Sequence, residues 1–131
     1  MIVDSSAIVA LMLRGPGWED LAEHLAGASS VGVGAPTLTE TAIVLASRLG
    51  DPARTLLARL MGEAGVSTIP FGADHVRAAV SAYLAYGKGR HPAALNFGDC
   101  MSYAVAKLAG APLLCVGDDF AQTDLEILTP R

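Results

Sequence analysis

Apolar residues along this chain fall into two kinds of run. Short blocks at residues 1–3, 31–33, 66–69 and 113–116 end in or are flanked by aspartate or glycine, whereas longer stretches place apolar residues three and four apart. The short blocks predict buried strands and the longer ones helices. After Asp4, Ser5 or Ser6 caps a helix through Leu13, which Gly15-Pro16-Gly17 stops. Further helices are predicted over residues 18–26, 37–49 (closed by Gly50, with Pro52 beyond), 52–64 and 73–86, and from Asp99 or a near neighbour to about Leu108. Over residues 73–86, Val76, Val80, Tyr83 and Leu84 approximate one apolar face. Gly32 and Gly34 weaken the strand around Val31 and Val33, and a last short strand falls near Ile127.

Strands alternating with helices predict an α/β fold in a single domain over residues 1–131, a central, mostly parallel sheet of four to five short strands flanked by helices. No linker, repeat or low-complexity segment interrupts it. At 131 residues, 52% hydrophobic and 17% charged, the chain can bury a core without disulfides or a structural metal. The apolar share is high for this size, and either a partner surface or alanine-rich helices accounts for it. Cys100 and Cys115 have no metal-ligand spacing and read as buried thiols of a reducing compartment. There is no basic leader and no apolar run long enough to span a membrane, so a cytoplasmic protein is expected.

The net charge of −4 argues against a protein that holds nucleic acid through a broad basic face. The acids themselves are more informative. In a parallel sheet, ligands bind beyond the carboxyl ends of the strands near a topological switch point. Asp4 ends the first strand, Asp118 and Asp119 follow the 113–116 strand, and Glu40 and Asp99 lie in first helical turns that can face the same edge. Each has a structural alternative. Asp4 can cap the next helix, Thr37-Leu38-Thr39-Glu40 has the form of a capping box, Asp99 can be an N-cap, and one of Asp118 and Asp119 can belong to a turn. Those roles do not explain why five carboxylates should gather at one edge. Like charges raise one another's pKa, so such a cluster calls for a hard divalent cation, Mg²⁺ or Mn²⁺. Such a centre suits metal-assisted phosphodiester hydrolysis without a histidine or serine nucleophile.

The loop Gly87-Lys88-Gly89-Arg90-His91-Pro92 offers complementary charge. Lys88, Arg90 and His91 can hold substrate phosphates at the rim of the site, or can simply be solvated. Gly32-Val33-Gly34-Ala35-Pro36-Thr37 lacks the third glycine of a dinucleotide loop, and neither a phosphate-loop lysine motif nor a Gly-x-Ser-x-Gly elbow occurs. His24 and His75 read as helix-surface residues, and Tyr83, Tyr86 and Tyr103 as core or interface.

Four segments together resemble a known family. Met-Ile-Val-Asp-Ser-Ser-Ala at the start, Thr-Leu-Thr-Glu around Glu40, the run from Tyr86 to Cys100, and Gly117-Asp-Asp-Phe-Ala-Gln-Thr-Asp124 are similar to PIN-domain toxins of the VapC type, the ribonuclease halves of bacterial toxin–antitoxin pairs. The resemblance spans essentially the whole chain, without departure from the catalytic pattern. It implies Asp4 and Asp99 as principal Mg²⁺ ligands and Glu40 as a direct or water-mediated third acid. The fourth acid in this family precedes a phenylalanine, which favours Asp119 before Phe120, with Asp118 a contender. Ser6 stands where the family has a small hydroxyl residue supporting the site. A homodimer and an antitoxin partner, which inserts a C-terminal segment near the catalytic groove, are also implied, with RNA as substrate. Two other readings remain at this point. One is an aspartate-based phosphotransferase or phosphatase using Asp4, although the Asp-x-Asp pattern is broken by Ser6. The other is a PIN-like interaction module without catalysis.

Overall fold

The computed structural model describes residues 1–131. The chain runs β1 (Ile2–Val3), α1 (Ser5–Leu13), α2 (Trp18–Gly27), β2 (Val31–Gly34), α3 (Ala35–Leu49), α4 (Pro52–Glu63), β3 (Val66–Ile69), α5 (Ala73–Tyr86), α6 (Phe97–Ala109), β4 (Leu113–Leu114) and β5 (Ile127–Leu128). The strands form one sheet in the order β3-β2-β1-β4-β5, every neighbouring pair parallel. The chain moves outward from β1 through β2 to β3, then returns to lay β4 on the other side of β1. The switch point of the sheet therefore lies between β1 and β4.

Alternation along the strands divides the core in two. Ile2 and Leu113 face one cluster, with Ala79 and Ala82 of α5 and Tyr103, Ala104 and Val105 of α6. Val3, Leu114, Val31 and Val33 face the other, with Ile8, Leu21, Leu45 and Leu57 from α1 to α4. Helices thus cover both faces, as a parallel sheet requires.

The two glycines that weaken β2 as a sequence pattern are explained by neighbours. A Cβ on Gly34 would stand 2.7 Å from Val105 Cγ2, and one on Gly32 would stand 2.5 Å from Ile69 Cδ1. The absence of side chains there lets α6 and β3 approach the strand closely.

Several expectations are corrected or sharpened. Asp4, not Ser5 or Ser6, caps α1, its side chain accepting the Ser6 N–H. Helix α3 starts at Ala35 behind Gly34, with Pro36 in the first turn, so Thr37 lies inside the helix and Glu40 is not part of a capping box. Helix α6 is capped by Asn96, with Asp99 as the third helical residue of a reciprocal capping box. On α5 the spacing marks out one apolar face as expected, but it is the face turned away from the core. Val76, Val80, Tyr83 and Leu84 stay exposed, and the small residues Ala79 and Ala82 are buried, where they let α5 pack closely on α6. The 113–116 strand is also shorter than expected, because pairing stops at Leu114. No helix is long and apolar enough to cross a membrane.

Candidate active site

The carboxyl ends of β1 and β4 carry the site's framework. Asp4 follows β1 directly, and its N–H donates to Leu114 O at 2.9 Å, continuing the pairing with β4. Its carboxylate is buried and held on both oxygens. Oδ2 accepts from Ser6 N at 3.1 Å and from Ser6 Oγ at 2.6 Å, while Oδ1 accepts from Ser102 Oγ at 2.6 Å. Ser6 Oγ also accepts the Val116 N–H at 3.0 Å, which ties the start of α1 to the segment leaving β4. Behind Ser102 stands Thr37, their hydroxyls 3.1 Å apart, and Thr37 is buried against α6. Asp4 therefore has one orientation available, set by hydroxyls from α1 and α6 and braced from α3.

Asp99 is likewise buried in the first turn of α6. Its Oδ2 accepts the Asn96 N–H at 3.1 Å while its own N–H donates to Asn96 Oδ1 at 2.8 Å. Burial pushes its carboxyl up to about 6, against the pull of the Asn96 N–H; the charges of Asp119, Asp4 and Glu40 push in the same direction as burial. Those three acids are the neighbours Asp99 feels. Glu40 reaches it from α3 across Gly98. A Cβ on that glycine would stand 2.5 Å from Glu40 Oε2, so the carboxylate lies directly against the first turn of α6. Asp119 comes from the turn after β4, pinned by Phe120, whose ring is buried in the α5–α6 core.

The buried thiol of Cys115 reports the same gathering. It is pushed up to about 12, by burial first and then by Asp4, Asp119 and Asp99. Asp118 acts on neither group. It lines a separate groove with Pro16, Gly17 and Pro130. The structure thus brings Asp4, Glu40, Asp99 and Asp119 to one edge and turns Asp118 away.

The loop residues are placed differently. Arg90 donates from Nε to Leu84 O at 3.4 Å and lies 5.9 Å from the Tyr83 ring centroid, at the end of α5. His91 accepts the Ala93 N–H on Nδ1 at 3.0 Å and meets Tyr86 edge-on. Lys88 is exposed and makes no ion pair. None of the three touches the acids. A groove of about 840 Å³ is also remote from them: it runs along Met1, Ser30, Pro112 and Arg131, by the amino ends of the strands.

Ser102 and Thr37 are the supporting residues that sequence reasoning missed. A signal existed, since Ser102 is a small hydroxyl residue in the largely apolar stretch after Cys100, three residues past Asp99 and so on the same helix face. A second clamp was missed as well. Tyr103 Oη and Lys107 Nζ donate to the two oxygens of Asp124 at 2.6 and 2.7 Å, fastening the segment after Phe120 to α6.

The donor set fits a hard divalent cation, because every candidate ligand is a carboxylate oxygen and the mutual repulsion at Asp99 is what a cation relieves. No three acids converge on a single point as a closed cage would require. The arrangement suits an ion bound by one or two carboxylates that keeps several waters, the usual habit of Mg²⁺.

Comparison with known proteins gives one consistent answer. The PIN domain family model matches residues 1–126. Ribonuclease VapC36 of Mycobacterium tuberculosis is 55% identical over 127 residues, covering 96% of this chain and 91% of that one. Ribonuclease VapC of Mycolicibacterium smegmatis is 42% identical, covering 95% and 97%. Among solved structures, VapBC2 of Rickettsia felis, bound to a DNA fragment from its promoter, superposes with a TM-score of 0.79 at 13% identity, covering 98% of this chain and 96% of that one. The sarcin-ricin loop cleaving toxin VapC20 of M. tuberculosis superposes with a TM-score of 0.74 at 24% identity, covering 95% of each chain.

Proposed function

The chain belongs to the PIN-domain family, in the branch of the VapC ribonucleases, and from that premise we propose that it is a divalent-metal-dependent endoribonuclease, the toxin of a toxin–antitoxin pair. The observation that carries this reading is the placing of Asp4, Glu40 and Asp119, from three further segments, around the buried Asp99 near the switch point of the sheet, close enough to help burial hold its carboxyl up near 6. A protein spends stability to keep such a group there. Catalysis is the return.

Asp99 and Asp4 would hold the Mg²⁺, with Mn²⁺ able to substitute. The ion would supply Lewis-acid stabilisation of phosphoryl charge and lower the pKa of water. The protein's own groups do the positioning. Ser6 and Ser102 keep the Asp4 carboxylate aimed, and the Asn96 N–H does the same for Asp99. Glu40 is exposed at the mouth of the site, where it would support the ion or take up a proton from water. Asp119 completes the negative charge from the β4 side, in preference to Asp118. Lys88 has no ion-pair partner within the chain and is the loop's freest contact for RNA phosphates. Arg90 and His91 serve there only by leaving their contacts with α5. The Asp4 phosphotransferase reading loses ground, because hydroxyl hydrogen bonds on both oxygens dull Asp4 as a nucleophile.

Two partners belong to the proposal. An antitoxin restrains the enzyme, in keeping with the VapC names of its relatives and the VapBC complexes that share its fold. A second copy of the chain covers the exposed face of α5, where Val76, Val80, Tyr83 and Leu84 form an apolar stripe. Mapping RNA 5′ ends after brief expression of the protein beside Asp99→Asn tests the enzymatic claim. Discrete new ends are expected with the wild type alone, and identical ends from both proteins would overturn it.

A further inference from the structure

Phe97 opens α6, and its side chain is 80% exposed, the highest exposure among the chain's exposed large apolar residues. Neither the helix nor the core accounts for it. Asn96 and Asp99 complete the cap on either side, and the α6 residues that pack the core start at Cys100. The ring stands two residues before Asp99 and one before Gly98, the glycine against which the Glu40 carboxylate rests. With Pro36 and Thr37 of α3 and Met101 of α6, it borders a recess of about 40 Å³ that also contains Glu40. An aromatic face is thus displayed at the lip of the carboxylate site, on a backbone fixed by two capping hydrogen bonds.

On the ribonuclease reading above, we infer that Phe97 is a stacking platform for a nucleobase next to the scissile phosphodiester. The need for one follows from charge. The protein is net acidic, its site is a cluster of carboxylates, and two of the three cationic or titratable loop residues are engaged elsewhere. Ionic contacts to phosphate are therefore scarce. Stacking uses no charge, tolerates any base because each has a π-face, and costs little entropy when the ring is already placed.

Steady-state kinetics on an RNA oligonucleotide that carries a cleavage site mapped for the wild type test this. Phe97→Ala is expected to raise KM about five- to 150-fold with kcat little changed. Phe97→Trp should keep the wild-type KM, and Phe97→Leu, which keeps apolar area but loses the π-face, should behave like Phe97→Ala. Replacing each nucleotide flanking the scissile bond in turn by an abasic one should, at one position, weaken the wild type while leaving Phe97→Ala unaffected. A wild-type KM for Phe97→Ala, or full function in Phe97→Leu, overturns the platform while leaving the ribonuclease standing. The second result would point to a protein partner on this apolar lip instead. If the wild type cleaves no RNA, the ribonuclease reading fails and the platform with it.

Discussion

Burial and three neighbouring acids hold the Asp99 carboxyl up at about 6, whereas in the unfolded chain it titrates near 3.8. The folded protein therefore binds this proton more tightly than the unfolded one. Its contribution to stability is complete below about pH 4 and is lost as pH rises through 6. In chelator at pH 7.5, Asp99→Asn should be more stable than the wild type, because the amide keeps its place in the capping box without the buried charge. The ceiling on that gain is about 3 kcal/mol. Thermal unfolding from pH 4 to 8 checks it: the melting temperatures should converge toward pH 4, separate between pH 4 and 6, and stay apart by a constant amount above pH 6. A wild type more stable than Asp99→Asn at pH 7.5 in chelator would show that Asp99 is not a strained charge. Saturating divalent cation should narrow the difference, because it stabilises the ionised wild-type site.

Two glycines of similar tightness should behave oppositely when given a methyl group. Gly34 ends β2 against Val105, a packed core side chain, so Gly34→Ala must displace α6 and should cost about 1–3 kcal/mol. Gly98 faces the far end of the exposed Glu40 side chain, which can swing away. Gly98→Ala should therefore leave stability nearly unchanged and lower cleavage severalfold by moving Glu40. Urea denaturation alongside cleavage rates separates the two cases, and a Gly98→Ala protein with normal activity would mean that the contact is incidental. These close approaches also mark where sequence patterns failed. The elements themselves were legible, since α5 spans the predicted residues and the strands fall on the short apolar runs. Boundaries were misjudged where a backbone group or an earlier side chain took the capping role, as at Gly34 and Asn96, whereas Asp4 capped α1 as its structural alternative allowed. The apolar face of α5 was legible, but not which face packs, because alanine, rather than the larger residues, does the close packing. The acids could be placed because each sits at a strand end or in an early helical turn. Ser102 and Thr37 could not, because their role exists only where α3 and α6 meet behind Asp4.

At the scale of the whole molecule, the parallel sheet reconciles an acidic protein with an acidic site. It confines the carboxylates to the carboxyl edge at the β1–β4 switch point and leaves the apolar stripe on the outer surface of α5. If a second copy covers that stripe, Val80→Lys should fold normally yet sediment as a monomer, whereas the wild type sediments as a dimer. A monomeric wild type would remove the homodimer from the account. The central claim is that the edge carboxylates act together to cleave RNA with a divalent ion. Its most direct test is cleavage of the mapped RNA oligonucleotide by purified wild type and by Asp99→Asn, each with Mg²⁺ and with chelator. The account predicts product from the wild type with Mg²⁺ alone. Cleavage by Asp99→Asn at the wild-type rate, or by the wild type in chelator, would contradict it.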